Sequence, residues 1–153
     1  MQNELAAPWR PLPQIKVKAL GLHRRQGRLL AAEVYDDAGR LKGVRPLGGS
    51  IEFGESWQAA LKREFMEELG VRVGISGAPI VLEHIYQHEG MAGHEVIFAA
   101  PVTFPRGMFE GQDELLFREN NGQLCRARWF DLQQLGTNGI ALFPDGLKEC
   151  LEQ

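Results

Sequence analysis

Apolar and polar positions alternate loosely from Ile15 to His23, and Leu29 to Tyr35 is an apolar run. Both patterns predict β-strands, with Arg24 to Arg28 as the turn between them. Asp36-Asp37-Ala38-Gly39 reads as a second turn, and Gly43 to Glu55 as a glycine-rich loop. The pattern then changes period. Leu61, Phe65 and Leu69 recur every four residues, which predicts a helix from Trp57 to Leu69 with Ser56 as its N-cap and Gly70 closing it. A short strand is expected at Val71 to Val73. A stronger one is expected at Ile80 to His88, turning at Glu89 to Gly93 and pairing back with His94 to Thr103. That strand carries His84, Tyr86 and His88 on one side and Glu83 and Ile85 on the other. Phe104 to Gly122, rich in charge, Gly and Asn, reads as a long loop of the kind that often carries function. A last strand at Arg126 to Asp131 and a terminal helix at Pro144 to Leu151 complete the chain. Residues 1–14, with Pro8, Pro11 and Pro13, are expected to form an extended arm. Many strands and two helices predict a mixed sheet with helices packed on its faces.

A chain of 153 residues that is 44% hydrophobic and 24% charged has the size and composition of one globular domain. The longest apolar run, Val96 to Val102, is far below the roughly 20 residues of a spanning helix. The first residues show no basic cluster followed by an apolar stretch, so no secretory signal is expected and a cytoplasmic location is. Net charge is −3, without the basic excess of a protein that grips a nucleic-acid backbone. Cys125 and Cys150 read as free thiols, and the four histidines form no zinc-protease pattern.

The chemistry concentrates in Arg63-Glu64-Phe65-Met66-Glu67-Glu68. On a helix, Glu64, Glu67 and Glu68 project within an arc of roughly 100°. Like charges at these spacings repel, and the C-terminal half of a helix disfavours negative charge. A solvated acidic face is one outcome of such a cluster. A hard divalent cation is the other, because it reverses the sign of both effects and suits carboxylate oxygen. Gly48, Gly49 and Gly54, with Glu55 just before the helix, shift the balance towards a site.

From Gly49 to Val71 the chain resembles the box of the Nudix hydrolases, G-x5-E-x7-R-E-U-x-E-E-x-G-U with U bulky and aliphatic. Gly49, Glu55, Arg63, Glu64, Glu67, Glu68, Gly70 and Val71 fill its positions, with Phe65 at a usually aliphatic one. The lead-in Arg45-Pro46-Leu47-Gly48-Gly49 places Leu47 between the proline and the glycines, and Trp129-Phe130-Asp131-Leu132 is similar to the family's last strand. The resemblance implies an α/β fold, a mixed β-sheet sandwiched between α-helices, as a single domain over 15–153. It implies an enzyme that cleaves a phosphoanhydride in a nucleoside diphosphate linked to another moiety, here a small nucleotide.

It further implies Mg²⁺ or Mn²⁺ held by Glu64 and Glu68, with Glu67 third and the Gly49 carbonyl adding to them. Glu67, Arg63 and Glu55 then belong to the catalytic group, with Arg63 orienting a box carboxylate. The general base lies in the box or in a later loop. Glu110, Asp113, Glu114 and Glu119 are candidates, and Glu114 is favoured for its central place. Trp57 and Trp129 are expected to pack, and His84, Tyr86 or His88 either line the rim or contact substrate. No membrane or large nucleic acid is expected as partner, although Arg24-Arg25 and Arg126/Arg128 hint at a basic patch. A homodimer fits the family without any residue marking an interface. Two other functions stay open: a nucleotide-sensing module without turnover, which has no evident use for three metal-binding carboxylates, and an isomerase on the same fold, for which neither cysteine has an activating partner in sequence.

Overall fold

Strands that are apolar on alternate positions bury one face; strands apolar at every position must bury both. Leu29-Leu30-Ala31-Ala32 and Ala19-Leu20 are of the second kind, and every one of these side chains is buried. The computed structural model describes residues 8–136 and 139–153; the first seven residues of the expected arm lie outside them. Its strands are β1 (Ile15–Leu22), β2 (Arg24–Arg25), β3 (Arg28–Tyr35), β4 (Leu41–Arg45), β5 (Leu47–Ser50), β6 (Gly74–Ile75), β7 (Ile80–His88), β8 (Met91–Thr103), β9 (Glu114–Arg118) and β10 (Leu124–Asp131). Helix α1 spans Trp57–Leu69 and α2 Leu147–Leu151, with a short 3₁₀ turn at Leu132–Gln134.

The strands form two five-stranded sheets. One runs β5-β1-β8-β6, with β7 also on β8; the other runs β2-β3-β10-β9, with β4 on β3. The β1–β8 pair is parallel, with Lys18 opposite Ile97, and the remaining strand pairs are antiparallel. Successive residues serve different cores. Ala19, Leu30, Ala32, Leu47, Ala100 and Ala127 face the core that holds Ala60, Leu61 and Phe65 of α1. Leu20, Leu29, Ala31, Val44, Ala99 and Phe130 face a second core, closed by Leu135, Leu142 and Leu147.

The fold is therefore a pair of curled sheets, one mixed and one antiparallel. The expected sandwich of helices is met only in part. The first core is covered by the long α1, but the second is closed mainly by irregular chain and the five-residue α2. That helix begins at Leu147, not Pro144, because Gly146 takes the cap position with φ +91°. The short strand expected at Val71 to Val73 forms at Gly74–Ile75, leaving Val71 and Val73 as buried core residues. The β7–β8 turn is tighter than expected. Glu89 and Gly90 both have positive φ, so a two-residue turn joins His88 directly to Met91. The glycine-rich stretch holds β4 and β5, and β9 forms within the long loop.

Candidate active site

Helix α1 is built as the pattern predicts. The Ser56 side chain accepts a hydrogen bond from the Ala59 N–H at 3.1 Å. At the other end Gly70 takes φ +66° and donates to the Met66 carbonyl, while the Val71 N–H reaches Phe65 O. This double closure satisfies carbonyls that the helix leaves unpaired. With Leu61 and Phe65 anchored in the core, Arg63, Glu64, Glu67 and Glu68 are held towards β5 and the loop that follows it.

Arg63 is the hub. Its Nε donates to Glu55 Oε2 at 2.8 Å and its Nη2 to Glu55 Oε1 at 2.9 Å, a two-point clamp. Nη2 also donates to the Ser50 carbonyl at 3.0 Å. Nη1 donates to Glu64 Oε1 at 3.0 Å and reaches Glu67 at 3.3 Å. The guanidinium hydrogen bonds hold the Glu55 carboxyl down at a pKa of about 2.

Glu64 is buried, and burial pushes its carboxyl up despite the Arg63 contact. Its carboxylate lies against bare backbone: a Cβ on Gly49 would stand 2.5 Å from Glu64 Oε1. Glu68 is pushed up to about 8, first by burial and then by Glu64, Glu119 and Glu67, with Arg45 opposing. Glu67 is the most exposed of the three.

The four loop acids separate by strand parity. On β9, Leu115 and Phe117 face the α1 core, so Glu114 projects to the opposite face and pairs with Arg126 at 3.3 Å. Glu114 is not brought to the carboxylate cluster. Glu110 and Asp113 are exposed. Glu119, two residues beyond Phe117, continues the inward parity; it pairs with Arg45 and lies close enough to Glu68 to raise it.

Arg45 and Cys125 complete this side of the site, although nothing in the sequence assigned either of them a role there. No local signal marks Arg45, which reaches the site because β4 pairs with β3 and sets it opposite Ala32. Cys125 is half-buried, and its thiol is pushed up to about 12 by burial, with Glu119 and Glu68 adding to it. It is not an activated nucleophile. Trp57 and Trp129 pack against the first core as expected. His84, Tyr86 and His88 point inward from β7, with His84 stacked on Tyr86 at 4.8 Å.

Among the described residues no three His, Cys, Asp or Glu side chains converge as a metal-ligand set, and Arg63 bonds both Glu64 and Glu67. The donor chemistry nonetheless suits a hard divalent ion. It consists of carboxylate oxygens, a glycine backbone open to close approach, and two carboxyls whose burial a cation would offset.

The sequence matches a family model described as the NUDIX domain over residues 12–151. No curated protein matches it. Among solved structures, a MutT NUDIX hydrolase from Burkholderia pseudomallei is similar at 23% identity, covering 92% of this chain and 98% of that one, with a TM-score of 0.59. The E. coli ORF135 protein is similar at 22% identity over 94% of each chain, with a TM-score of 0.57. A MutT protein from Methanosarcina mazei Go1 is similar at 16% identity, covering 95% and 94%, with a TM-score of 0.55. At these identities the structures speak for the fold. No helix among the described residues is long and apolar enough to cross a membrane.

Proposed function

The chain belongs to the Nudix family, as a Nudix hydrolase, and from that premise we propose that it cleaves a phosphoanhydride bond in a small nucleotide: a nucleoside triphosphate, or a nucleoside diphosphate carrying a further group. The observation that carries this is the Arg63-clamped carboxylate cluster packed against the bare backbone of Gly49. Glu64 and Glu68 would hold Mg²⁺ or Mn²⁺, with Glu67 as a third ligand and the Gly49 carbonyl beside them. Such an ion, when bound, neutralises phosphate charge, polarises the P–O bond and acidifies an attacking water.

Arg63 and Glu55 are positioning residues. The guanidinium ties the loop end of the site to the helix and fixes the carboxylate rotamers. Glu119 is favoured over Glu114 as the base, because it shares the face of Glu68 and is oriented by Arg45. In that role it takes a proton from the attacking water at a carboxylate oxygen. The water oxygen bonds to phosphorus, the bridging P–O bond breaks, and the departing phosphate keeps the electron pair. On the same reading residues 15–153 form one domain, since the strands contribute to both cores. The enzyme works in the cytoplasm as a monomer or homodimer.

The test is turnover with Mg²⁺ across nucleoside triphosphates, ADP-ribose, nucleotide sugars and dinucleoside polyphosphates, with products read by mass. Glu68→Gln is expected to lower kcat by more than about 100-fold, the upper end of what losing an outer-shell metal partner costs. Turnover that persists in EDTA, or an active Glu68→Gln, overturns the assignment.

A further inference from the structure

A strand at the rim of a sheet leaves N–H and C=O groups unpaired along one side, and proteins blunt such edges with short strands, Pro, Lys, bulges or a covering segment. Most rims of this molecule are blunted. Strands β2, β5, β6 and β9 are no longer than five residues. Strand β4 is covered, since the Val44 N–H donates to Ala141 O and the Phe143 N–H to Val44 O, each at 2.8 Å. Strand β7 is the exception. It has nine residues without Pro, Lys or Arg, and its register with β8 runs unbroken from Ile80 opposite Ala99 to His88 opposite Met91. The tight turn after it decides which backbone groups are free. A two-residue turn makes His88 and Met91 a pair that exchanges both hydrogen bonds, and such pairs recur at every second residue. Ile80, Leu82, His84 and Tyr86 therefore bond to β8, while Val81, Glu83, Ile85 and Gln87 turn their N–H and C=O outward. Pro101, two residues past Ala99, agrees in parity: its carbonyl accepts from the Ser76 N–H on this same side of β8, at 3.0 Å. Among the described residues nothing else bonds to the outward groups of β7. The side chains beside them are bare too, with Val81 55% and Ile85 64% exposed.

Such an edge is completed by another strand, and the second copy of β7 matches it. Two copies related by a twofold axis are antiparallel by symmetry and bring the same residues to both sides. The registers differ in what they set against Glu83, the one charge on the strand. An axis at Glu83 opposes two carboxylates, and an axis at His84 sets Glu83 against Ile85. An axis at Ile85 sets Ile85 against itself and Glu83 against Gln87, whose amide donates to a carboxylate oxygen. Glu83 Oε2 lies 3.0 Å from His94 Nε2, which leaves Oε1 for that contact. We propose that the chain forms a homodimer joined edge to edge through β7, with Ile85 on the twofold axis and Glu83 bonded to Gln87 of the second copy on either side. The sheet then runs β5-β1-β8-β7 up to the axis and β7-β8-β1-β5 beyond it.

Sedimentation equilibrium of the full chain over a dilution series tests the pairing without turnover, so its failure leaves the hydrolase reading standing. The parent is expected at twice its chain mass of 17.1 kDa. Ile85→Pro removes an N–H that β8 does not use, as an edge strand tolerates. On the axis it deletes two hydrogen bonds between the copies, and it is expected to raise the dimer Kd by about tenfold or more. Gln87 reads the register. Gln87→Lys gives Glu83 an ion-pair partner and is expected to tighten the dimer, more so at low salt, whereas Gln87→Glu is expected to loosen it. A parent that stays at the single mass overturns the proposal and leaves the edge to a strand of another protein. A dimer that survives Ile85→Pro with native circular dichroism also overturns it, because the copies then meet elsewhere. Should Ile85→Pro fail to fold, the two substitutions at the exposed Gln87 carry the decision, and a dimer indifferent to the charge placed there overturns the proposal.

Discussion

Arg63 does more than carry one positive charge. It spends its guanidinium on Glu55, Glu64, Glu67 and a backbone carbonyl at once, which an ammonium cannot copy. Arg63→Lys keeps the charge and loses the fork. It is expected to cut kcat by about 10- to 100-fold, with a higher Mg²⁺ requirement and a smaller change in KM, read in steady-state kinetics across a metal titration. Gly49 makes the complementary point about space. Gly49→Ala forces the Glu64 carboxylate aside and is expected to cost about 1–3 kcal/mol in chemical denaturation, with loss of turnover. Arg63 and the α1 glutamates were legible because their spacing on one helix needs no tertiary knowledge, and Gly49 because it fills a position of the box motif. Arg45, and the choice of Glu119 among the four loop acids, were not, since only the pairing of distant strands brings them to Glu68.

At the scale of the element, α1 was readable to its caps: period, N-cap serine and closing glycine all agree. Ser56→Ala is expected to lower stability by about 1 kcal/mol, measured by urea unfolding, while leaving the core packing of Phe65 intact. Strand β7 was equally plain, since Val81, Glu83 and Ile85 point one way and the inward set the other. Strand β9 was hidden. Of its five residues only Leu115 and Phe117 are buried, and flanking charge and glycine give it the composition of a loop. That omission cost the correct parity of the acids around it. Glu119→Gln is accordingly expected to reduce kcat more than Glu114→Gln, with the acidic limb of the pH–rate profile altered only in the former. Strands β4 and β5 were masked by glycines whose place in the sheet is decided by close approach to neighbours, not by propensity.

At the scale of the whole molecule, the division into two sheets with two cores was beyond the local pattern, because it depends on which strands meet. Burial on both sides also fixes the state of the histidines. His23 is buried, donates from Nδ1 to the Val102 carbonyl at 3.3 Å when that nitrogen carries the proton, and stacks on Phe104 at 3.9 Å. Burial lowers its pKa, as it does for His84 and His88. The unfolded chain therefore binds more protons than the native one below an ordinary histidine pKa of about 6.5. Stability is expected to fall as pH drops through that value and to level off once the folded pKa values are passed. Thermal melts from pH 7.5 to 5 check this, and His84→Phe is expected to flatten the slope. The parallel β1–β8 pair has a further consequence, for synthesis. The box is complete in the growing chain at Val71, yet β5 has only β1 beside it, and β1 lacks its other neighbour until Thr103 has emerged. A nascent chain thus carries every box residue well before it has a platform to mount them on. Such late closure of a distant strand pair is a step at which exposed apolar strands invite capture by a chaperone.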